Sequence, residues 1–514
     1  MYDYLIVGAG SAGCVLANRL TEDSETSVLV LEAGGNDDIP AIQDPKATFS
    51  LLGTAIDWAY ETEEEPYLNN RKLLWPRGKV LGGSSSINFM VYGRGNRSDY
   101  DHWYELGNEG WSYADVLPFF KKAEHRDRGS SDYTGREGPL SVTDVPSVNP
   151  LTAAFLAAGE ELGWTRTDDY NGAAQEGFST LQFTMHQGKR ASTATSYLHP
   201  VQSRANLTVW TNTLVTRVLF EGTRAVGLAY LKDGIEQQVW ANKEVILCGG
   251  AINSPQTLLL SGIGPANQLR ALGIRVVADL PGVGINLQDH PALLMVAATK
   301  PSFTEFGDAS EGMAFIKTQS SLPEPDLAVV YIPFILLPTP LEKNSGYTFT
   351  LGLVQPQSRG YLRLRSTDPR EHPAIFANYL AHPADLQRLV EGVKVVRRLN
   401  QTQALAPFYA EETVPGQQVQ SDAEIVQYIR SSVQSYYHPV GTCKMGQDEL
   451  AVVDEQLRVY GVESLRVVDA SIMPSIVNGT TNAPIIMIAE KISDLLGKKQ
   501  REESRFHHSR NKKG

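Results

Sequence analysis

The sequence predicts an α/β nucleotide-binding domain combined with a second, α+β domain built on an antiparallel sheet. Two observations carry the first half of that expectation. Residues 2–32 read as strand, glycine turn, helix, strand and a closing acid, and residues 244–264 repeat a strand, a glycine pair and a helix-like run. A third observation carries the second half: residues 326–338 and 347–365 are apolar or alternating stretches separated by Pro and Gly, as antiparallel strands are. At 514 residues the chain is too long for a single core and fits about two to three domains.

The opening unit is the most explicit. An apolar strand, Tyr2–Val7, runs into Gly8-Ala9-Gly10-Ser11-Ala12-Gly13, then a helix-like run Cys14–Leu20, then Val28–Leu31 ending in Glu32 and Ala33. Gly8 permits the tight turn, Gly10 lets the backbone approach a pyrophosphate at the helix N-terminus, and Gly13 allows the helix to pack closely on the strand. Glu32 is placed to accept hydrogen bonds from ribose hydroxyls. A glycine motif alone is a weak signal, but with strands, helix and acid all in place it specifies a bound dinucleotide. A carboxylate at position 32 disfavours a 2′-phosphate and therefore NADP; the unit does not separate FAD from NAD.

Bulk properties narrow the field further. A net charge of -12 argues against a nucleic-acid partner. Cys14, Cys248 and Cys443 are far apart and odd in number. They form neither a disulfide framework nor a metal-ligand spacing, so no metal is expected and a reducing, cytoplasmic setting fits. Residues 2–7 lack a basic n-region and read as a strand, not a signal peptide. No apolar run approaches the roughly 20 residues of a membrane span. From Lys498 onward, seven Lys/Arg stand against two Glu, the composition of a solvated, disordered tail over 498–514. Glu61, Glu63, Glu64 and Glu65 read as a solvated charge run. Leu386, Leu389, Val390, Val393, Val396 and Leu399 keep helical spacing and predict an amphipathic helix over 383–399.

Four further blocks carry chemistry. Arg77-Gly78-Lys79-Val80-Leu81-Gly82-Gly83-Ser84-Ser85-Ser86-Ile87-Asn88, continued by Phe89–Gly95, removes side-chain bulk where something large must lie against backbone. Gly249-Gly250-Ala251-Ile252-Asn253-Ser254-Pro255 follows the strand Glu244–Cys248 and precedes a helix and the turn Ser261–Gly264. The third block, Tyr437-His438-Pro439-Val440-Gly441, holds an imidazole in a Pro/Gly-fixed loop, where it could accept a proton near neutral pH. Asn478-Gly479-Thr480-Thr481-Asn482-Ala483-Pro484 is a polar turn before an apolar helix, with proline in the helix's first turn.

With these blocks in this order, the sequence resembles the glucose-methanol-choline (GMC) family of FAD-dependent alcohol oxidoreductases, with choline dehydrogenase-like and alcohol oxidase-like members, from Tyr2 to about Leu496. Residues 77–95 look like the family's first signature. Residues 250–264 look like its second, with Thr257 where an aliphatic residue is usual. The resemblance implies a Rossmann-like FAD-binding domain from segments 1–145, 190–290 and 435–497, and a discontinuous substrate domain from 146–189 and 291–434. FAD contacts carry over to Gly8, Gly10, Ser11, Ala12, Gly13, Glu32 and Ala33 in the opening unit. In the first signature they carry over to Arg77, Val80, Gly83, Ser84, Asn88, Met90 and Val91. Val215 offers backbone to adenine, Asp469 and Ala470 lie at the ribityl-pyrophosphate, and Ala251, Ala483 and Ile485 complete the set. Some choline oxidases attach FAD through a histidine just before the asparagine of the glycine-serine block. That position here is Ile87, so non-covalent FAD is expected.

The resemblance also assigns the chemistry. His438 is the base that takes the hydroxyl proton while a hydride moves to flavin N5, and Asn482 orients the alkoxide oxygen. Some members carry histidine at the second position, and the choline- and furfuryl-type members carry asparagine. The helix following Asn482 would stabilise negative charge on the reduced flavin through its dipole. Tyr331, Phe334, Tyr436 and Tyr437 are the candidate walls of the substrate pocket, which favours an aromatic or aliphatic primary alcohol. The alternatives are choline, or a cyanohydrin lyase reaction in which FAD does not turn over. Reduced flavin would be reoxidised by O2 or another electron acceptor.

Overall fold

The computed structural model of the chain describes every residue except 128–130, 308, 337–341, 343 and 512–514, with side chains to residue 498. The side chains expected to form a disordered basic tail therefore lie outside the described residues beyond Lys498, as do Leu337 and Pro338 of the 326–338 stretch.

Two seven-stranded sheets dominate, one mostly parallel at its centre and one antiparallel, in keeping with the predicted fold class. The first orders its strands Leu207–Trp210, Val28–Leu31, Tyr2–Val7 and Ile235–Leu247, then continues into Arg224–Lys232 and Leu214–Glu221; Leu465–Val467 also pairs with Ile235–Leu247. Pairings within the core of this sheet are parallel, and those of the 214–247 meander are antiparallel. Leu5, Ile6, Leu29, Val30, Val245 and Ile246 are fully buried. Parallel strands covered on both faces have this continuous apolar character, because no residue of either face reaches water.

The second sheet is antiparallel, in the order Tyr409–Val414, Pro291–Thr299, Gly346–Leu353, Leu327–Ile332, Gly312–Ile316, Gly177–Thr180, with Gln434–Ser435 also paired to Pro291–Thr299. One face packs on the helices Pro150–Glu161 and Pro383–Asn400. Phe155 stacks on Tyr331 with centroids 4.7 Å apart, and the Tyr347 hydroxyl donates to Asn400 Oδ1 at 2.9 Å. The other face is a separate apolar wall of Met313, Phe315, Ala328, Val330 and Ile332, continued by Tyr170, Phe334 and Val354. Among the described residues, no helix is long and apolar enough to cross a membrane.

Candidate active site

The parallel strands end on one cleft of about 1120 Å³. Gly8 follows the first strand, Glu32 the second, Cys248 the long central strand, and Asp469 stands two residues beyond Val467; all four line the cleft. Open α/β sheets bind ligands at these carboxyl ends. Three helices also begin here: Ser11–Leu20, Gly250–Leu260 and Asn482–Asn511. The partial positive charge at these helix N-termini suits a pyrophosphate and an anionic ring. The Ser11 hydroxyl donates to Asn482 Oδ1 at 2.7 Å, tying the first helix to the last.

The backbone leaves room for a large ligand. Gly250 has φ +75°, and a Cβ there would meet nothing within 4 Å; a Cβ on Gly10 would meet only Gly83 Cα, at 3.9 Å. Ser11, Ala12, Ala33, Arg77, Gly83 and Ser84 line the same space, joined from later segments by Val215, Ala251, Ala470 and Ile485. Gly13 lies beneath the turn, where a Cβ would sit 1.9 Å from the Gly8 carbonyl oxygen.

Other residues singled out from the sequence stand behind the cleft. Val80 and Ile87 are buried with Ile42 and Leu51 in a small apolar cluster. Asn88 Oδ1 accepts from the Met90 N–H (3.0 Å) and from Arg190 Nη1 (2.8 Å), which fixes Met90 at φ +60°. Val91 packs against the apolar wall, and Ala483 is buried in the first turn of its helix. Trp58, Thr213, Asn253, Gln256 and Pro369 also line the cleft. Of these Asn253 and Gln256 fell within the second signature, 250–264, and nothing in their spacing announced a cleft-lining role.

Two carboxylates are bound up within the protein. Glu32 is buried; Oε2 accepts the Ala9 N–H and Oε1 the Gly34 N–H, both at 2.8 Å, so each oxygen keeps a second lone pair. Burial raises its pKa, with the two backbone N–H groups opposing. Asp469 differs from the expected ligand contact. Its Oδ2 accepts the Gly250 N–H (2.8 Å) and the Ser254 hydroxyl (2.5 Å), and its Oδ1 accepts the Ser471 N–H (2.8 Å) and hydroxyl (2.5 Å). With four donors already in place, the carboxylate clamps the start of a helix and has no free edge to offer a ligand.

His438 sits beside this cleft: its neighbour Pro439 lines it, as does Thr481 beside Asn482. His438 Nδ1 lies 3.0 Å from His290 Nδ1, with the two rings edge to face. Tyr436 stacks on the other side of the imidazole, centroids 5.4 Å apart and planes within 6°. Burial lowers the His438 pKa well below its ordinary value, helped by His290 and Arg77. His290 is pushed down to about 3, burial outweighing the backbone of Val354 and Val477. Both rings are therefore neutral near pH 7. Tyr437 adopts φ +66°, and its carbonyl accepts from Arg77 Nη2 at 2.5 Å.

Two expectations are corrected. Tyr331, assigned to the substrate wall, points to the opposite face of its strand, against Phe155, Tyr347 and Phe349. Its neighbours Val330 and Ile332 face the wall, together with Phe334 and Tyr436. The strand is buried throughout, so its sequence carried no polar phase to fix which residues face which side. Within the charge run, Glu61 and Glu64 are exposed and Glu63 pairs with Arg365, but Glu65 is buried. Its oxygens accept the backbone N–H groups of Ala377 (3.0 Å) and Tyr379 (3.1 Å).

A nucleotide-sized cleft at the ends of a parallel sheet, with a neutral histidine beside it and a second sheet supplying an apolar wall, fits the class of dinucleotide-dependent oxidoreductases. The N- and C-terminal models of the GMC oxidoreductase family match residues 2–292 and 356–489, and the chain belongs to that family, whose enzymes use FAD and act on CH–OH donors. It is 47% identical over 534 aligned residues to the mitochondrial choline dehydrogenase of Mus musculus, covering 96% of this chain and 89% of that one. It is 46% identical to the oxygen-dependent choline dehydrogenase of Pseudomonas syringae pv. syringae, covering 97% and 94%. Among solved structures, pyridoxine 4-oxidase from Mesorbium loti superposes with a TM-score of 0.91 at 33% identity, covering 96% and 99%. A formate oxidase from Aspergillus oryzae gives 0.91 at 25%, covering 98% and 99%.

Proposed function

We propose that the protein oxidises choline, converting the primary alcohol of a quaternary ammonium compound to the aldehyde. The observation that carries this is the 46–47% identity to choline dehydrogenases along nearly the whole chain. The aromatic or aliphatic alcohol expected from the sequence gives way to this alternative. The rings of Tyr170, Phe315, Phe334 and Tyr436 on the apolar wall suit a trimethylammonium group, whose charge is drawn to aromatic faces.

A bound FAD would supply the acceptor for the hydride of the carbinol carbon. The chain's own residues prepare that transfer. A hydrogen on His438 Nδ1, donated to His290, leaves the Nε2 lone pair to take the hydroxyl proton. Because both rings are neutral, that lone pair is available near neutral pH. Asn482 Oδ1 is occupied by Ser11, so the Asn482 amide N–H groups are the donors that orient the alkoxide oxygen. The helix N-termini at the cleft would favour the pyrophosphate and negative charge on the reduced cofactor through their dipoles. Glu32 would receive the ribose hydroxyls on its remaining lone pairs, while Gly10 and Gly250 would give the cofactor backbone to lie on.

FAD is held non-covalently in this reading, since Ile87 offers no nucleophile. The domain division is 1–145, 190–290 and 435–497 against 146–189 and 291–434, supported by the strands: those of the first sheet all fall in the first set, and those of the second in the second set, except that Gln434–Ser435 straddles the boundary. A cytoplasmic setting fits the three buried free cysteines. The electron acceptor is O2 or another carrier. Anaerobic mixing of the yellow holoenzyme with choline tests the function: bleaching of the flavin is expected. No bleaching with choline, but bleaching with benzyl alcohol, would restore the aromatic-alcohol reading, and cyanide release from mandelonitrile without bleaching would favour the lyase.

A further inference from the structure

The segment 434–440 runs antiparallel to 288–292. Ser435 is in register with Pro291, the Tyr436 N–H donates to the His290 carbonyl at 2.9 Å, and Gln288 and Val440 exchange both backbone hydrogen bonds at 3.1 and 2.9 Å. The pairing is interrupted at Tyr437 and His438. Tyr437 has φ +66°, a left-handed conformation that is strained for a non-glycine residue. Across this interruption the N–H groups of 437 and 438 bond to side-chain oxygens instead of carbonyls of the neighbouring strand.

Side chains replace the lost ladder. The Tyr437 N–H donates to Ser435 Oγ at 2.7 Å, and the His438 N–H donates to Asp289 Oδ1 at 2.7 Å. The other oxygen of Asp289 accepts the hydroxyls of Ser435 and Tyr379. Asp289 is 6% exposed, so these bonds form where water does not compete. Burial raises its pKa, while Ser435, Tyr379, the His438 N–H and Arg77 act the other way. Arg77, which caps the Tyr437 carbonyl and lines the cleft, is the cation that acts on this anion.

We propose that Asp289 is a positioning residue for the reaction. Its carboxylate holds the twisted Tyr437–His438 backbone, while the adjacent His290 holds the imidazole edge, so consecutive residues grip the base at main chain and ring. The inference rests on His438 being the base. Asp289 touches no reacting atom; it sets where Nε2 lies relative to the carbinol, and a displacement of about 1 Å is worth on the order of a hundredfold in rate.

The test is Asp289→Asn in the full-length holoenzyme, with flavin bleaching followed by anaerobic stopped flow. The substrate is choline, or benzyl alcohol if choline does not bleach the wild type. Asparagine keeps the shape and an acceptor for the His438 N–H but removes the charge. Expected is a limiting bleaching rate about tenfold to a hundredfold lower, with half-saturation within about twofold of wild type and the flavin spectrum retained. Ser435→Ala, which deletes only the bridging hydroxyl, is the second variant should Asp289→Asn fail to fold, and a fall of the same kind is expected. A wild-type limiting rate in a flavin-loaded variant, or a change confined to half-saturation, overturns the proposal. If instead His438→Ala keeps the wild-type rate, it is the base assignment that fails.

Discussion

Gly83 packs directly on Gly10: a Cβ on residue 83 would lie 2.7 Å from Gly10 Cα, and Gly83 already sits at φ +53°. Two glycine motifs more than 70 positions apart thus form one surface, and Gly83 has no space for a side chain against it. Gly83→Ala meets both backbone strain and a clash against main chain, which cannot rotate away. The variant is expected to purify with a much lower flavin-to-protein absorbance ratio, with added FAD restoring it only in part. A full yellow complement after gel filtration would contradict the close approach.

His438→Ala should leave flavin content and spectrum unchanged, because the imidazole contacts His290 and Tyr436 and lines no part of the cofactor cleft. Losing a positioned base lowers rates by about 10²–10⁴. Anaerobic reduction by choline is therefore expected to slow by that factor, with exogenous imidazole recovering part of it.

Asp99 gives a pH signature in stability. It caps the helix Arg97–Glu105, and its Oδ2 accepts the N–H groups of Asn96 and Asn478, both at 2.7 Å, anchoring the block that leads to Asn482. Burial raises its pKa from 3.8 to about 7. Glu65, also at about 7, adds a second group of the same sign. Between the ordinary carboxylate range and pH 7 the folded protein holds protons that the unfolded chain has released. Stability should therefore fall as pH rises through that window and level off above it. The thermal midpoint is expected to rise as pH drops from 8 to 6, with Asp99→Asn flatter and more stable at pH 8. An unchanged slope in Asp99→Asn would place the titration elsewhere.

The nucleotide half of the molecule was legible because its signals are local. Gly8, Gly13 and Glu32 act within one strand-turn-helix-strand unit, where spacing dictates geometry. The support of His438 was not legible, because Asp289 and Tyr379 reach the loop of Ser435 and His438 from segments about 150 and 60 residues away in the chain. Glu65 was hidden for a different reason. Its three acidic neighbours are ordinary surface residues, and only the fold turns this one inward to satisfy backbone N–H groups at Ala377 and Tyr379. Tyr331 was misassigned because a strand buried on both faces has no polar alternation to mark its phase.

Ile87 is 3% exposed among apolar neighbours and has no nucleophilic atom. Acid precipitation of the holoenzyme is therefore expected to leave a colourless pellet and all the flavin in the supernatant. Yellow colour remaining on the washed, denatured protein would show a covalent link through another residue.

Gly352 is the space on which Tyr436 lies. A Cβ there would sit 2.3 Å from Tyr436 Cε2 and 2.7 Å from Cδ2, so the ring could not keep its present plane. That ring stacks on His438, and its hydroxyl is buried with no protein partner. Gly352→Ala must therefore push Tyr436 into the imidazole or out of its slot, and either movement disturbs the base. Overpacking of this kind costs about 1–3 kcal/mol, so a lower thermal midpoint is expected together with slower flavin reduction. Shortening the partner should relieve it: the double variant Gly352→Ala/Tyr436→Ala is expected to recover the midpoint lost by Gly352→Ala alone, because the two changes share one contact and are not additive. Strictly additive losses in midpoint and reduction rate would show that Gly352 serves the strand Gly346–Leu353 and not the tyrosine.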